Sequence, residues 1–156
     1  MKNLAGLLLT VLIGACFFCG CITQSQPTIQ SKDNLTDAQK KVSTDLLQLT
    51  DIIYIPSGIT RDVLEQQMEK DNQLIWVDEN GTKTNEKSNA HKLVYVYIKT
   101  RDNTDLTLLT TNVWNITDTD SQNNLVVAWV DTNNLINLAS LDSVQSIRTV
   151  TPPMTK

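Results

Sequence analysis

The stretch LVVAWVDTNNLINLASLDSVQSIRTV, residues 125–150, decides the fold. Its opening LVVAWV (125–130) is a continuous apolar, β-branched run with an aromatic, the signature of a strand buried in a sheet. TNNLINLASL then sets Leu135, Leu138 and Ala139 at helical spacing, so a short helix is predicted to cross behind that strand. VQSIRTV (144–150) returns as a second strand. Strand, helix and strand make half of a mixed unit.

Reading backwards supplies the other half. KLVYVYIK (92–99) is a strand by its β-branched and aromatic residues. NTDLTLLTTNVW (103–114) is a weak helix with Leu106, Leu109 and Val113 on one side. NITDTD (115–120) is a short strand and SQNN (121–124) a turn. Over residues 92–151 the order is β-α-β-β-α-β. The predicted fold class is therefore α+β: a ferredoxin-like split β-α-β unit with a four-stranded antiparallel sheet and two helices on one face.

Residues 35–80 precede this unit as a helical segment with one strand. The pattern from Leu35 to Thr50 is helical, with Leu46, Leu47 and Leu49 late in it and Ser43 available as an internal cap. PSG at 56–58 marks a turn. Thr60 is then placed to cap RDVLEQQMEK (61–70), whose acidic start and basic end suit the helix dipole. Its apolar stripe is narrow: Val63, Leu64, Gln67 and Met68. QLIWVDENG reads as a strand running into a turn, and 80–91 as a polar loop. Residues 21–34 are polar and aperiodic, the composition of a flexible tether.

The first twenty residues have the order of an export signal: Lys2, an apolar run from Leu4 to Phe18, then small residues and cysteine. Cysteine after a small residue and before a polar tether resembles a lipoprotein signal, in which the thiol is lipidated. Cys21 is preferred because nearly all the apolar run then lies on the discarded side, and Cys16 is the second choice. The alternative is an uncleaved anchor over 4–22, close to the about 20 residues that a spanning helix needs. Both place the chain on the outer face of a membrane, held by an N-terminal lipid or helix. Three sequons, at Asn34, Asn80 and Asn115, fit an exported chain.

Composition removes several function classes. The net charge is −4 with no Lys/Arg cluster, which argues against nucleic acid as a partner. All three cysteines, Cys16, Cys19 and Cys21, lie in the leader, so a disulfide framework, a cysteine nucleophile and a cysteine metal cage are excluded from the folded part. His91 is the only histidine; it is read as a solvated side chain in a polar loop, since a catalytic base needs a partner to hold it. Asp118, Asp120, Gln122 and Asn124 alternate like the start of a calcium loop. The turn glycine is missing, however, and Trp129 stands where the bidentate glutamate belongs. The expectation is no enzyme, no metal and no cofactor.

One surface stands out. If Val94, Val96, Ile98, Val126, Ala128 and Val130 lie under the helices, strand alternation turns Tyr95, Tyr97, Val127 and Trp129 to the opposite face. Left open, that face is a binding platform, because aromatics dominate interface hot spots. Residues 35–80 also need somewhere to bury their apolar stripe, and the favoured expectation is that they and Trp76 fold over it.

The strand carrying Val126, Ala128 and Val130, the helix carrying Leu135, Leu138 and Ala139, and the pair Val144 and Ile147 resemble the closing half of subtilisin-propeptide, or protease-inhibitor-like, domains. Related units occur in archaeal surface proteins. The resemblance covers roughly residues 92–153. It implies that the open face packs on a subtilisin-like protease and that the tail, Val150, Thr151, Pro152 and Pro153, enters the active site as an extended strand. A propeptide precedes its protease and none follows here, so inhibition is expected to act on a separate chain. Proline also removes the donors such pairing uses, and the plainer role of 152–156 is to end the last strand. The expected function is a non-catalytic, membrane-tethered surface module that binds another exported protein; a stand-alone protease inhibitor is the alternative.

Overall fold

Ten residues of mostly β-branched and aromatic type, HKLVYVYIKT, form the longest strand and the axis about which the rest is arranged. The computed structural model describes residues 34–50, 58–102 and 104–150, together with the backbone pairing of 28–29 and 53–54. In chain order the first elements are β1 (Thr28–Ile29), α1 (Asp37–Lys40), α2 (Thr44–Leu49), β2 (Ile53–Tyr54), α3 (Arg61–Lys70) and β3 (Leu74–Val77). They are followed by β4 (His91–Thr100), α4 (Thr107–Thr110), β5 (Asn115–Asp120), β6 (Leu125–Asp131), α5 (Leu135–Ser140) and β7 (Val144–Thr149). A 3-10 turn at Thr132–Asn134 leads into α5.

The protein is α+β, built on a five-stranded antiparallel sheet in the order β3-β4-β6-β5, with β7 also on β4. β3 and β7 share one edge of β4. β3 pairs with its first half (Leu74 with Val94) and β7 with its second (Ile147 with Ile98). They meet at Tyr95, whose N–H donates to the Gln73 carbonyl at 2.8 Å and whose carbonyl accepts from the Val150 N–H at 3.1 Å. The outer edge of β7 is closed by residues 41–43: the Ser43 N–H donates to the Ile147 carbonyl, and the Ile147 N–H to that of Lys41. A separate parallel pairing joins β1 to β2, so residues 28–29 of the expected tether lie beside 53–54.

All helices pack on one side of the sheet. Val94, Val96 and Ile98 of β4 and Val126, Ala128 and Val130 of β6 form a single core with Leu109, Leu135, Leu138, Ala139 and Ile147. Leu46, Leu47, Leu49, Met68 and Leu74 belong to that same core. Residues 35–80 therefore widen the helical layer instead of covering the opposite face. Trp76 goes with them. It pairs with Lys92 on the helix side of the sheet, and its indole N–H donates to Glu69 of α3 at 2.6 Å. An amphipathic stripe demands a surface to bury itself on but does not say which.

Several expected elements are redrawn. The helix over 35–50 is two short helices, because 41–43 are drawn out to bond β7. α1 starts with a capping box between Thr36 and Gln39. Ser43 occupies the N-cap of α2 but makes no capping bond, and its hydroxyl is buried without a partner. α3 has the predicted bounds and the Thr60 cap, yet its inward residues are Leu64 and Met68, while Val63 is 56 % exposed. The helix over 103–114 shrinks to the single turn α4. Asp105 accepts from the Thr107 N–H, and the Thr104 and Thr110 hydroxyls donate to nearby carbonyls, local bonds that compete with a longer helix. Leu109 is buried there but Leu106 points outward. Val150, assigned to the tail, is buried and still bonded to β4. Thr151, Pro152 and Pro153 lie outside the described residues, as do Cys16 and Cys21. No helix among the described residues is long and apolar enough to cross a membrane.

Candidate binding face

The antiparallel register sets side chains in rows across the face that the helices leave. Ser146, Lys99, Leu125 and Asp120 form one row, and Arg148, Tyr97, Val127 and Asp118 the next. Tyr95, Trp129 and Asn115 make a third. The four expected face residues, Tyr95, Tyr97, Val127 and Trp129, are thus brought together.

Two of the aromatics are held in place. The Tyr95 and Trp129 rings lie 4.8 Å apart at a 35° tilt, within the range where aromatic pairs attract. A bulge in β5 between Ile116 and Asp118 turns Thr117 toward Tyr95. The Thr117 hydroxyl donates to the Val127 carbonyl at 3.1 Å. It therefore accepts from the Tyr95 hydroxyl, 2.9 Å away, since it has one proton to give. Tyr97 is not tied down in this way and is 39 % exposed. Beside it a depression of about 270 Å³ is lined by Tyr97, Lys99, Leu125, Ser146 and Arg148.

The face carries charge of opposite sign at its two margins. Arg148 makes no ion pair among the described residues. The Lys99 ammonium rests on the Asn123 carbonyl. On the β5 side, Asp118 accepts from the Thr119 N–H, and Asp120 closes the 121–124 turn. The side-chain bond from Asn123 to Asp120, then the backbone bond from the same residue, hold the Asp120 carboxyl below its ordinary pKa. That is the local work of a turn. No group of three or more His, Cys, Asp or Glu is placed to hold a metal among the described residues.

At its other end Leu93 is only 1 % exposed, while Trp114 keeps 41 % of its surface, about as much as Tyr97. His91 is there, in the first position of β4 and not in a loop, and it is partnered. Its Nδ1 lies 2.8 Å from Asp131 Oδ2, while Asp131 Oδ1 accepts from the Asn133 N–H at 2.9 Å. The imidazole also sits 4.9 Å from the Trp114 ring. Gly81, in the left-handed conformation that closes the 78–82 turn, packs beneath Trp114. The expectation of an unpartnered loop histidine is corrected, since cross-strand neighbours invisible in the linear sequence hold it, although its side chain stays 40 % exposed. No serine or threonine hydroxyl bonds to His91 among the described residues, so a nucleophile–base pair is not assembled there.

On the helix side, Lys87 and Lys92 lie 4.8 and 5.7 Å from the centre of the Trp76 ring. Lys87 pairs with Glu69 at 2.5 Å and Lys92 with Glu65 at 2.8 Å. Burial pushes the Glu69 carboxyl up, but the bonds from Lys87 and Trp76 and the charges of Lys87 and Lys83 outweigh it and hold its pKa below the ordinary value. This cluster clamps the 83–90 loop onto α3.

The three sequon asparagines, Asn34, Asn80 and Asn115, are all exposed. Sequence reasoning misses Lys99, Arg148, Asp118 and Asp120 as face residues, although alternation from Tyr97 and from inward-facing Ile147 finds the first two. No family model, curated protein or solved structure matches this chain.

Proposed function

We propose that this chain is a non-catalytic docking module, tethered to the outer face of a membrane, that binds an exported protein through the face around Tyr97. One observation carries the reading: the side of the sheet away from the helices keeps an uncovered aromatic, with a basic margin on one hand and an acidic margin on the other. A tyrosine beside an arginine that makes no ion pair among the described residues is the composition in which binding energy concentrates. The finer fold assignment belongs to this proposal. The order β7-β4-β6-β5, antiparallel throughout and linked through α4 and α5, supports a ferredoxin-like split β-α-β unit over residues 91–149.

The test is cross-linking in intact cells. A photoreactive residue at Tyr97 is expected to yield a covalent protein adduct, while the same group at Gln66, on the exposed side of α3, is not. A chain with no adduct at Tyr97 would overturn the docking reading. The tether is tested separately: Cys21→Ser should release the chain to the medium or stall its processing, and Cys16→Ser should leave anchoring intact.

The second reading, a stand-alone inhibitor of a subtilisin-like protease, draws on the resemblance and on one structural feature. Val150, where the expected tail begins, is the last described residue bonded to β4, and the Tyr95 N–H beside it is already taken by the Gln73 carbonyl. Lack of inhibition by the full chain at about micromolar concentration across several such proteases would end that reading.

A further inference from the structure

We propose that the occupant of the open face is a second copy of this chain, stacked face to face about a two-fold axis that runs along the strands between β4 and β6. The inference rests on the reading of that face as a docking surface and names its partner. It follows from how charge is distributed across the rows.

The row through Tyr97 is polarised from end to end. Arg148 stands at its β7 end and Asp118 at its β5 end, with Tyr97 and Val127 between them. In the adjacent row, Ser146 lies on β7 and Asp120 on β5, while the Lys99 ammonium reaches from β4 to the Asn123 carbonyl in the turn beside Asp120 of its own chain. Rotation by half a turn about an axis parallel to the strands keeps each row in register with itself and reverses it from end to end. Arg148 then faces the partner's Asp118, Ser146 faces the partner's Asp120, and Lys99 faces the partner's Leu125. Tyr97 meets the partner's Val127 across the centre. Sheets that pack face to face keep their strands roughly aligned, which this axis satisfies. An isologous contact requires a self-complementary surface. A face of uniform sign would repel its own copy; this one attracts it, and charge complementarity of that kind fixes register.

The residues concerned are available. Arg148, Asp118 and Asp120 are exposed, and Arg148 makes no ion pair among the described residues. The depression beside Tyr97 lies over β4, so the axis sets it opposite the partner's Leu125 and the partner's Val127, two apolar side chains able to enter it.

The experiment is sedimentation equilibrium of the full chain in density-matched detergent, at concentrations up to about 200 µM. A monomer–dimer equilibrium is expected. Arg148→Asp and Asp118→Arg should each weaken the dimer by at least about tenfold, because each sets like charges against each other twice. The double variant carrying both should restore it. Both sites are exposed, so a circular-dichroism melt should show each variant folded. A chain that stays monomeric overturns the proposal. So does a dimer that neither single variant weakens, which would point to association through the leader, or one that the double variant fails to restore. A glycan on Asn115, read as a mass increment lost in Asn115→Gln, overturns it too, since that residue lies within the contact. If the purified chain is monomeric while the Tyr97 probe captures a protein of different mass in cells, the second copy is excluded and the docking reading survives.

Discussion

On one side of β4, Val94, Val96 and Ile98 are wholly buried; on the other, one residue out of phase, Tyr97 keeps more than a third of its surface. The same strand supplies both sets, and so does β6, with Val126, Ala128 and Val130 against Val127 and Trp129. The first side receives every described helix, including α1, α2 and α3 from the segment that precedes the sheet's main unit. The second receives none of them. Stability and recognition are thereby divided between the two sides of one sheet. Changes on the helix side should act on folding, and changes around Tyr97 on association.

The largest effect is expected where the core is densest. Leu138 of α5 is fully buried among residues from several elements, and Leu138→Ala should cost about 2–5 kcal/mol, read from a urea melt. Leu46→Ala, in α2, should fall in the same range. That second variant sharpens the comparison, because a near-neutral result would mean that α2 does not share the core.

Next comes the His91 end of the open side. Asp131 is buried and accepts bonds from both the His91 ring and the Asn133 N–H. Asp131→Ala should destabilise by about 1–3 kcal/mol, the loss of two hydrogen bonds worth about 0.5–1.5 kcal/mol each. It should also change the emission of Trp114, whose ring packs on His91. A neutral result would mean that this bonded cluster does not help to hold that end of the face.

A smaller effect belongs to the Trp76 clamp. Glu69 has its pKa held below the ordinary 4.5, so its contribution to stability is complete above that value. It is lost as the pH falls through the lower folded-state pKa, because the unfolded chain then binds the proton more readily. Glu69→Gln should therefore flatten the acid limb of a stability–pH profile and leave the association of the open face untouched. An unchanged acid limb would remove the electrostatic account of the clamp.

Much of this division can be read along the chain. Alternation in KLVYVYIK and the β-branched run LVVAWV mark two central strands, and their phase separates Val94, Val96 and Ile98 from Tyr95 and Tyr97 without further information. Leu135, Leu138 and Ala139 likewise mark the inward side of α5. What cannot be read depends on contacts between distant residues. Helical periodicity over 35–50 is real, but residues 41–43 gain more from bonding the edge of β7 than from continuing a turn. The amphipathic pattern of α3 shows that it buries a stripe, not which side of the sheet receives it. His91 reads as a loop residue because both its neighbours, Asp131 and Trp114, arrive from distant parts of the chain. Arg148 is legible by alternation from inward-facing Ile147, but its place beside Tyr97 depends on the register of β7 on β4, a contact between distant residues.

The smallest expected effect on stability is also the most direct test of that division. Tyr97→Ala should be compared with the natural chain in two readouts, unfolding in urea at a concentration where association is negligible and cross-linking from a photoreactive residue at Val127 in intact cells. A docking role for Tyr97 predicts a stability change within about 0.5–1 kcal/mol, together with a loss of most of the adduct. A stability loss of several kcal/mol with the adduct unchanged would contradict it, because Tyr97 would then belong to the fold and not to a docking face.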